Sequence, residues 1–472
     1  MKKNLLYIAA FATVLGFFSS CTEDIIIDKV DESAYENVNT LFGTLRDAST
    51  NKITNIVDLH NETLTKEIHF NLSRAPKKGV DVTIEYDAAY LEQYNAEHET
   101  SFELYPQDKL SIQNEGKIVV SPQEKTSYKL QISIDALGVD EYKADATYVL
   151  PLKAVTKTEG VEVSSSESHL IYLVKNLAHQ STCYRKPGEK SVFCFLEVND
   201  TNPLNILQWE TEDGRLLVDY VVFFAYNINY NKETGDVYVF PNPQCQFILD
   251  HADQIIKPLR ERGVKVILGL LGNHDAAGLA QLSPLGCKHF AKKLRAICDA
   301  YNFDGVNFDD EYSGSPDLSS PLMCNPSGEA ATRLCLETKK AMPDKLVTIF
   351  QYGSMYCDDM CDGIEAGEFV DIAVANYGGS GSPRQGMTHA NCSVTSIEFA
   401  RGGYIGLSQA QSWAQSDYGY VMIFAPWASG RQGSSSHLES LSNLSQGLLG
   451  SPLKKPEFYY PATQSFETAP FN

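Results

Sequence analysis

The sequence predicts a two-part chain, a multidomain protein with an N-terminal all-β sandwich followed by a (β/α)8 TIM barrel. Three observations carry this. Residues 41–177 alternate apolar and polar positions at period two, in runs of strand length. Residues 178–472 alternate continuously apolar runs with amphipathic helical stretches. The length of 472 residues exceeds one ordinary domain and suffices for two.

The chain begins "MKKNLLYIAAFATVLGFFSSC": two lysines, an apolar run, small residues, then Cys21. The run is short for a spanning helix and reads as an export signal over residues 1–21. The small-small-Cys ending resembles a bacterial lipobox, with Phe18 where leucine is usual. That resemblance implies lipidation at Cys21, which anchors a protein without any spanning helix. The following "CTEDIIID" resembles the surface-export signal of Bacteroidetes lipoproteins. The expectation is an exported outer-membrane lipoprotein at the cell surface, held by its lipid and a polar tether over residues 22–40.

From residue 41 the runs "KEIHFNLS", "VDVTIEYD", "GKIVVS", "YKLQISID", "ATYVLPLKA" and "HLIYLVKN" read as sandwich strands, with one helical patch, "AAYLEQYNAEHE". No constellation of reactive side chains stands out in this part.

Past Gln180, "SVFCFLEV" and "VDYVVFFAYN" are apolar throughout, as strands buried on both faces must be. "CQFILDHADQIIKPLRERG" reads as a helix ending in Gly263. Strand "VKVILGLLG", helix "GCKHFAKKLRAICDAYN", strand "GVNFD", helix "GEAATRLCLETKKAMP" and strands "KLVTIFQYG" and "DIAVANYG" follow. A weaker strand "VTSIEFA", helix "LSQAQSWAQSD", strand "GYVMIFAPW" and helix "SHLESLSNLSQGLLG" complete the pattern. A parallel barrel places its site at the C-terminal ends of the strands. Those ends carry Tyr226 and Asn227, Asn273 and His274, Asp309 and Glu311, Gln351, Tyr377, Glu398 and Trp427.

The fourth strand, within "YNFDGVNFDDEYSG", holds Asp304, Asp309, Asp310 and Glu311 among apolar residues. Alternation puts Asn307, Asp309 and Glu311 on one side and Val306, Phe308 and Asp310 on the other. Val306 and Phe308 suit the helix side, so the polar three climb the barrel interior toward its open end. Polar groups in a barrel interior are costly unless satisfied, which points to function. Close carboxylates push one pKa up, and a Glu held partly protonated is a general acid. This predicts Glu311 as the acid, Asp309 ionised beneath it, and Asn307 donating its amide to Asp309. EF-hand spacing is absent, which disfavours a cation loop.

"DGVNFDDE" resembles the DGxDxDxE signature of family-18 glycoside hydrolases, the chitinases and endo-β-N-acetylglucosaminidases. "GVKVILGLLGNHDAAGLA", "AMPDKLVTIFQYG" and "DIAVANYGG" resemble the third, fifth and sixth strands of the bacterial endo-β-N-acetylglucosaminidases. The resemblance covers most of residues 185–450, with Asn307 where the signature usually has Asp. It implies substrate-assisted retaining hydrolysis, in which the 2-acetamido oxygen attacks the anomeric carbon, outside the two-carboxylate distance rule. It further implies that Glu311 protonates the leaving oxygen, Asp309 orients the acetamido N–H and Tyr377 hydrogen-bonds its oxygen. Trp427 is expected as the floor under the sugar, Gln351 as a polar contact, and Asn273 and His274 as part of the third-strand loop at the substrate.

The expected activity is cleavage of the GlcNAc-β-1,4-GlcNAc core of an N-glycan or glycoprotein. Alternatives are a chitinase-like hydrolase and a non-catalytic glycan-binding lipoprotein. The formal net charge of −21, from 60 acids and 39 bases, argues against nucleic acid as a partner. The CxxxC of Cys357 and Cys361 lacks histidines at zinc spacing, so neither a metal nor a cofactor is expected.

Overall fold

The computed structural model describes residues 40–164, 167–180, 185–186 and 188–471. The expected signal peptide, Cys21, the tether up to residue 39 and Cys183 lie outside the described residues.

The N-terminal part is two sheets sharing one apolar core. A five-stranded sheet runs Val161–Val163, Leu41–Asp47, Leu64–Leu72, Leu130–Ile134, Leu110–Ile112. The facing sheet runs Thr54–Leu59, His169–Asn176, Thr147–Thr156, Val80–Tyr86, Lys117–Val120, with Glu103–Leu104 beside Thr147–Thr156. Alternate residues point inward, and Leu45, Ile68, Phe70, Ile84, Ile132 and Leu150 meet in the middle. The strand His169–Asn176 departs from period two, being buried from Leu170 to Asn176. Its second face is covered too: Ile171 and Leu173 pack under the helix Tyr90–His98.

The larger part is built on eight parallel strands taken in chain order: Ser191–Glu197, Tyr220–Asn231, Lys265–Leu271, Gly305–Asp309, Leu346–Gln351, Ile372–Ala375, Ser393–Glu398 and Tyr420–Phe424. The eighth pairs with the first, which curls the sheet into a barrel. Between the sixth and seventh strands the ladder is reduced to the bridge Ala373–Cys392. Serine side chains take over there: Ala375 N donates to Ser393 Oγ at 2.8 Å, and Ser396 Oγ donates to Ala375 O at 2.5 Å. Backbone groups in a core need partners, and short hydroxyls supply them where the strands splay.

Helices flank the strands unevenly. The expected helix after the second strand is two, Pro243–Asp250 and Ala252–Glu261, broken at His251. Pro284–Tyr301 is capped by Ser283 and stopped by left-handed Asn302, and Gly328–Ala341 is capped by Ser327. Ser435–Leu449 follows the eighth strand. Among the described residues only 3-10 turns, Pro203–Gln208 and His389–Asn391, follow the first and sixth strands. The second strand continues into a hairpin: it runs on to Asn231 and turns back through Asp236–Phe240.

The interior face of the barrel is aromatic: Phe193, Phe195, Phe224, Phe350 and Met422 fill it with Ile267 and Val374. Its N-terminal end sits on the β-sandwich through buried ion pairs. Asp304, at the start of the fourth strand, accepts Arg260 Nε at 3.1 Å and lies 3.7 Å from Lys175 Nζ of the sandwich. Lys265 pairs with Asp58, and Lys52 with Asp371, across the same boundary. One acid of the fourth-strand segment, Asp304, is therefore structural, at the opposite end of the barrel from the others.

Candidate active site

The parallel register sets Asn307 between Gly269 and Thr348. Asn307 is fully buried, and its Nδ2 donates to Thr348 Oγ1 at 2.9 Å. Thr348 Oγ1 in turn donates a hydrogen bond to Val306 O at 2.9 Å. The expected Asn307–Asp309 hydrogen bond is therefore corrected: residues two apart on one strand are spaced along it, and the nearer partner lies across on the fifth strand.

Asp309 is 3% exposed, and its Oδ1 has no hydrogen-bond partner. Burial, and then the charges of Glu311 and Asp310, push its carboxyl well above the usual carboxylate range. In the free chain that shift opposes the ionised form expected of Asp309. Glu311 lies at the mouth, half-buried, and burial raises its carboxyl, Arg401 opposing and Glu398 adding to the shift. Asp310 points away from this pair. Its Oδ1 accepts from Ala280 N and Ser313 Oγ, both at 3.3 Å, and so ties down the third-strand loop.

Backbone contacts fix Glu311 from the third strand. Gly272 N donates to Glu311 O at 3.0 Å, and His274 N to Tyr312 O at 2.6 Å. A Cβ at Gly272 would meet Glu311 O at 2.4 Å, so only glycine allows this approach. His274 stacks edge-on against Tyr312, with ring centroids 5.4 Å apart. Asn273 Nδ2 donates to Asn229 Oδ1 of the hairpin at 3.0 Å. The contacts of Asn273 and His274 thus go to neighbouring loops.

Across the mouth, Tyr377 is wedged between Phe350 and Phe424, at centroid distances of 5.7 and 5.8 Å. Burial, then Glu398, Asp309 and Glu311, hold its hydroxyl above its ordinary value, so it stays a donor. Gln351, expected to contact substrate, spends its amide on a loop. Its Nε2 donates to Ser382 O at 2.7 Å, and its Oε1 accepts from Ser382 N at 2.8 Å.

Trp427 is corrected outright. It is fully buried, its Nε1 donates to Ser434 O at 3.2 Å, and it packs on Trp209, Tyr459 and Phe471. Phe424 already faces the interior, and three residues later the chain has turned to the helix side, so Trp427 is no sugar floor.

Beside Glu311 opens a cavity of about 420 Å³, lined by Asp310, Tyr312, Ser313, Pro326 and Tyr352 among others. Tyr312 and Tyr352 are 55% and 39% exposed, so their rings offer apolar faces beside the acid. Neither was singled out by sequence reasoning. The available signal was an aromatic residue directly after each strand-end acid or amide. Among the described residues no cluster of three or more His, Cys, Asp or Glu is placed to hold a metal ion.

A family model for an N-terminal domain matches residues 31–161. The chain is 41% identical over 267 residues to endo-β-N-acetylglucosaminidase F1 of Elizabethkingia meningoseptica, covering 56% of this chain and 79% of that protein. It is 28% identical over 243 residues to an endo-β-N-acetylglucosaminidase of a Flavobacterium species, covering 51% of this chain and 76% of that protein. Among solved structures it resembles Bacteroides thetaiotamicron EndoBT-3987 with Man5GlcNAc product, at 43% identity and a TM-score of 0.85, covering 90% of this chain and 99% of that one. The same enzyme with Man9GlcNAc2Asn substrate matches at 41% identity and a TM-score of 0.78, over 90% and 99% of the two chains.

Proposed function

The chain belongs to the endo-β-N-acetylglucosaminidases, and from that premise we propose that it cuts the GlcNAc-β-1,4-GlcNAc core of N-glycans with Glu311, Asp309 and Tyr377. The observation that carries this reading is the placement of Asp309 and Glu311 at the end of the fourth strand, beside an open cavity, with Tyr377 held between Phe350 and Phe424 at the same mouth.

The acetamido oxygen of the substrate attacks the anomeric carbon. Glu311, whose carboxyl burial raises, gives its proton to the departing glycosidic oxygen. The oxazolinium ion so formed is opened by water, whose proton Glu311 takes back. The productive form has the proton on Glu311 and the charge on Asp309. Binding the acetamido N–H gives that charge the hydrogen bond it lacks in the free chain. The Tyr377 hydroxyl donates to the acetamido oxygen and aims it.

We read the closed sheet as a (β/α)8 barrel that has lost its helices after the first and sixth strands. High-mannose chains are the first substrates to try, because EndoBT-3987 was solved with Man9GlcNAc2Asn. The N-terminal sequence supports export and lipidation at Cys21, placing the enzyme on an outer-membrane surface where glycoproteins are met.

The test is mass spectrometry of high-mannose and complex-type glycoproteins after incubation with the purified protein. A protein mass falling to the polypeptide plus one GlcNAc per site is expected on the high-mannose substrate. Intact masses on both substrates would sink the assignment. Glu311→Gln should bind the glycan and release nothing.

A further inference from the structure

Nine cysteines of the described residues are free thiols. Several of their sulfurs lean on backbone carbonyls: Cys245 on Ala225, and Cys287 and Cys324 on Leu282. Cys335 and Cys357 instead meet each other, sulfur to sulfur, at 3.8 Å. Cys335 is fully buried and Cys357 5% exposed. From this geometry we infer that Cys335 and Cys357 are a disulfide site, closed when the chain folds in an oxidising compartment.

The surroundings hold the two sulfurs together. Cys335 lies on the helix Gly328–Ala341, and Cys357 follows the turn Gly353–Tyr356. Asp358 N, one residue past Cys357, donates to Thr332 Oγ1 at 2.7 Å. Thr332 is three residues before Cys335 and so on the same helix face. Arg333 grips Asp362 with both terminal nitrogens, clamping the far side of the same loop. Cys357 itself sits at φ 59° and ψ 159°, a conformation only these contacts sustain in a non-glycine residue. A disulfide needs its sulfurs about 2.05 Å apart. The two sulfurs, 3.8 Å apart, must therefore close by about 1.8 Å.

The chemistry balances with a disulfide-bearing oxidant. Two thiols give up two protons and two electrons and form one S–S bond, while oxidised glutathione, or the disulfide of an oxidoreductase, takes both and leaves as two thiols. Because both sulfurs are buried, the exchange belongs to folding, before the loop closes over them. The bond would pin the turn that follows Tyr352, one wall of the cavity beside Glu311. The inference is independent of the glycosidase reading.

The full chain is refolded in a buffer of reduced and oxidised glutathione, alkylated, and digested with trypsin without reduction. The expected product joins the peptide 334–339 to the peptide 346–384, and falls apart on reduction. Further cleavage before Asp358 separates Cys357 from Cys361 and should leave the link on Cys357. Cys361→Ser should keep the link and Cys335→Ser should lose it. Adding reductant should lower Tm by about 5 °C in wild type and in Cys361→Ser but not in Cys335→Ser. Recovery of 334–339 fully alkylated, or linked through Cys361, would overturn the inference.

Discussion

Asn307 and Thr348 face each other inside the barrel, amide nitrogen to hydroxyl at 2.9 Å, on strands 41 residues apart in sequence. The bond turns the amide of Asn307 away from Asp309 and leaves its Oδ1 without a partner. The residue that departs from the family signature is therefore held by the fifth strand, and Asp309 stands alone above it.

Restoring the acid in Asn307→Asp sets a second buried carboxyl beneath Asp309. A like charge there pushes Asp309 further up. Because the proposed mechanism needs Asp309 ionised, the acid limb of kcat/KM should move up by about one pH unit. Maximal kcat should stay within about tenfold of wild type. A pH–rate profile decides it, and an unmoved acid limb would mean that Asp309 does not titrate in that limb.

Asp309→Asn should separate activity from stability. Hydrolysis should drop by about 10²–10³-fold with loss of the charge that orients the acetamido group. The folded carboxyl lies above its unfolded value, so its neutral form stabilises at low pH and stability falls as pH rises through the folded value. At neutral pH the variant should gain about 2–4 °C in Tm, as an amide needs no ionisation. Calorimetry showing a lower Tm would mean that the carboxyl supports the fold.

Tyr377→Phe keeps the ring between Phe350 and Phe424 and removes only the hydroxyl. The expected loss is about 10²-fold in kcat with KM little changed, as for removal of one preorganised donor. Steady-state kinetics on a single glycopeptide measures it. Wild-type turnover would reduce Tyr377 to a packing residue.

Asp304→Asn tests the base of the barrel. Arg260, Lys175 and Lys265 hold Asp304 below the usual carboxylate range despite its burial. Its contribution is present above its unfolded value and lost only as pH falls through the lower folded value. Removing the charge takes the ion-pair partner from Lys175 and leaves Arg260 with Asp145 alone, which should cost about 3–5 kcal/mol. Urea unfolding at neutral pH reads this, and a change within error would mean that the cluster carries no net stability.

Much of the site was legible because its signals are local. Strand alternation alone put Asn307, Asp309 and Glu311 on one face, and the structure places Asn307 and Asp309 in the barrel and Glu311 at its mouth. Trp427, Gln351 and the Asn307 amide were misjudged for a common reason. Trp427 and Gln351 are read from their place at a strand end and the Asn307 amide from alternation along one strand, yet each is oriented by partners remote in sequence: Trp209 and Ser434, Ser382, and Thr348.

What the sequence determined by itself is what the backbone decides residue by residue: period-two runs, continuously apolar strand runs, and acids stacked on one strand. Tertiary structure alone decided the protonation bias of Asp309, the structural use of Asp304 and the meeting of Cys335 with Cys357. Those depend on which atoms surround a side chain once distant strands are in register, and burial and charge are properties of that surrounding.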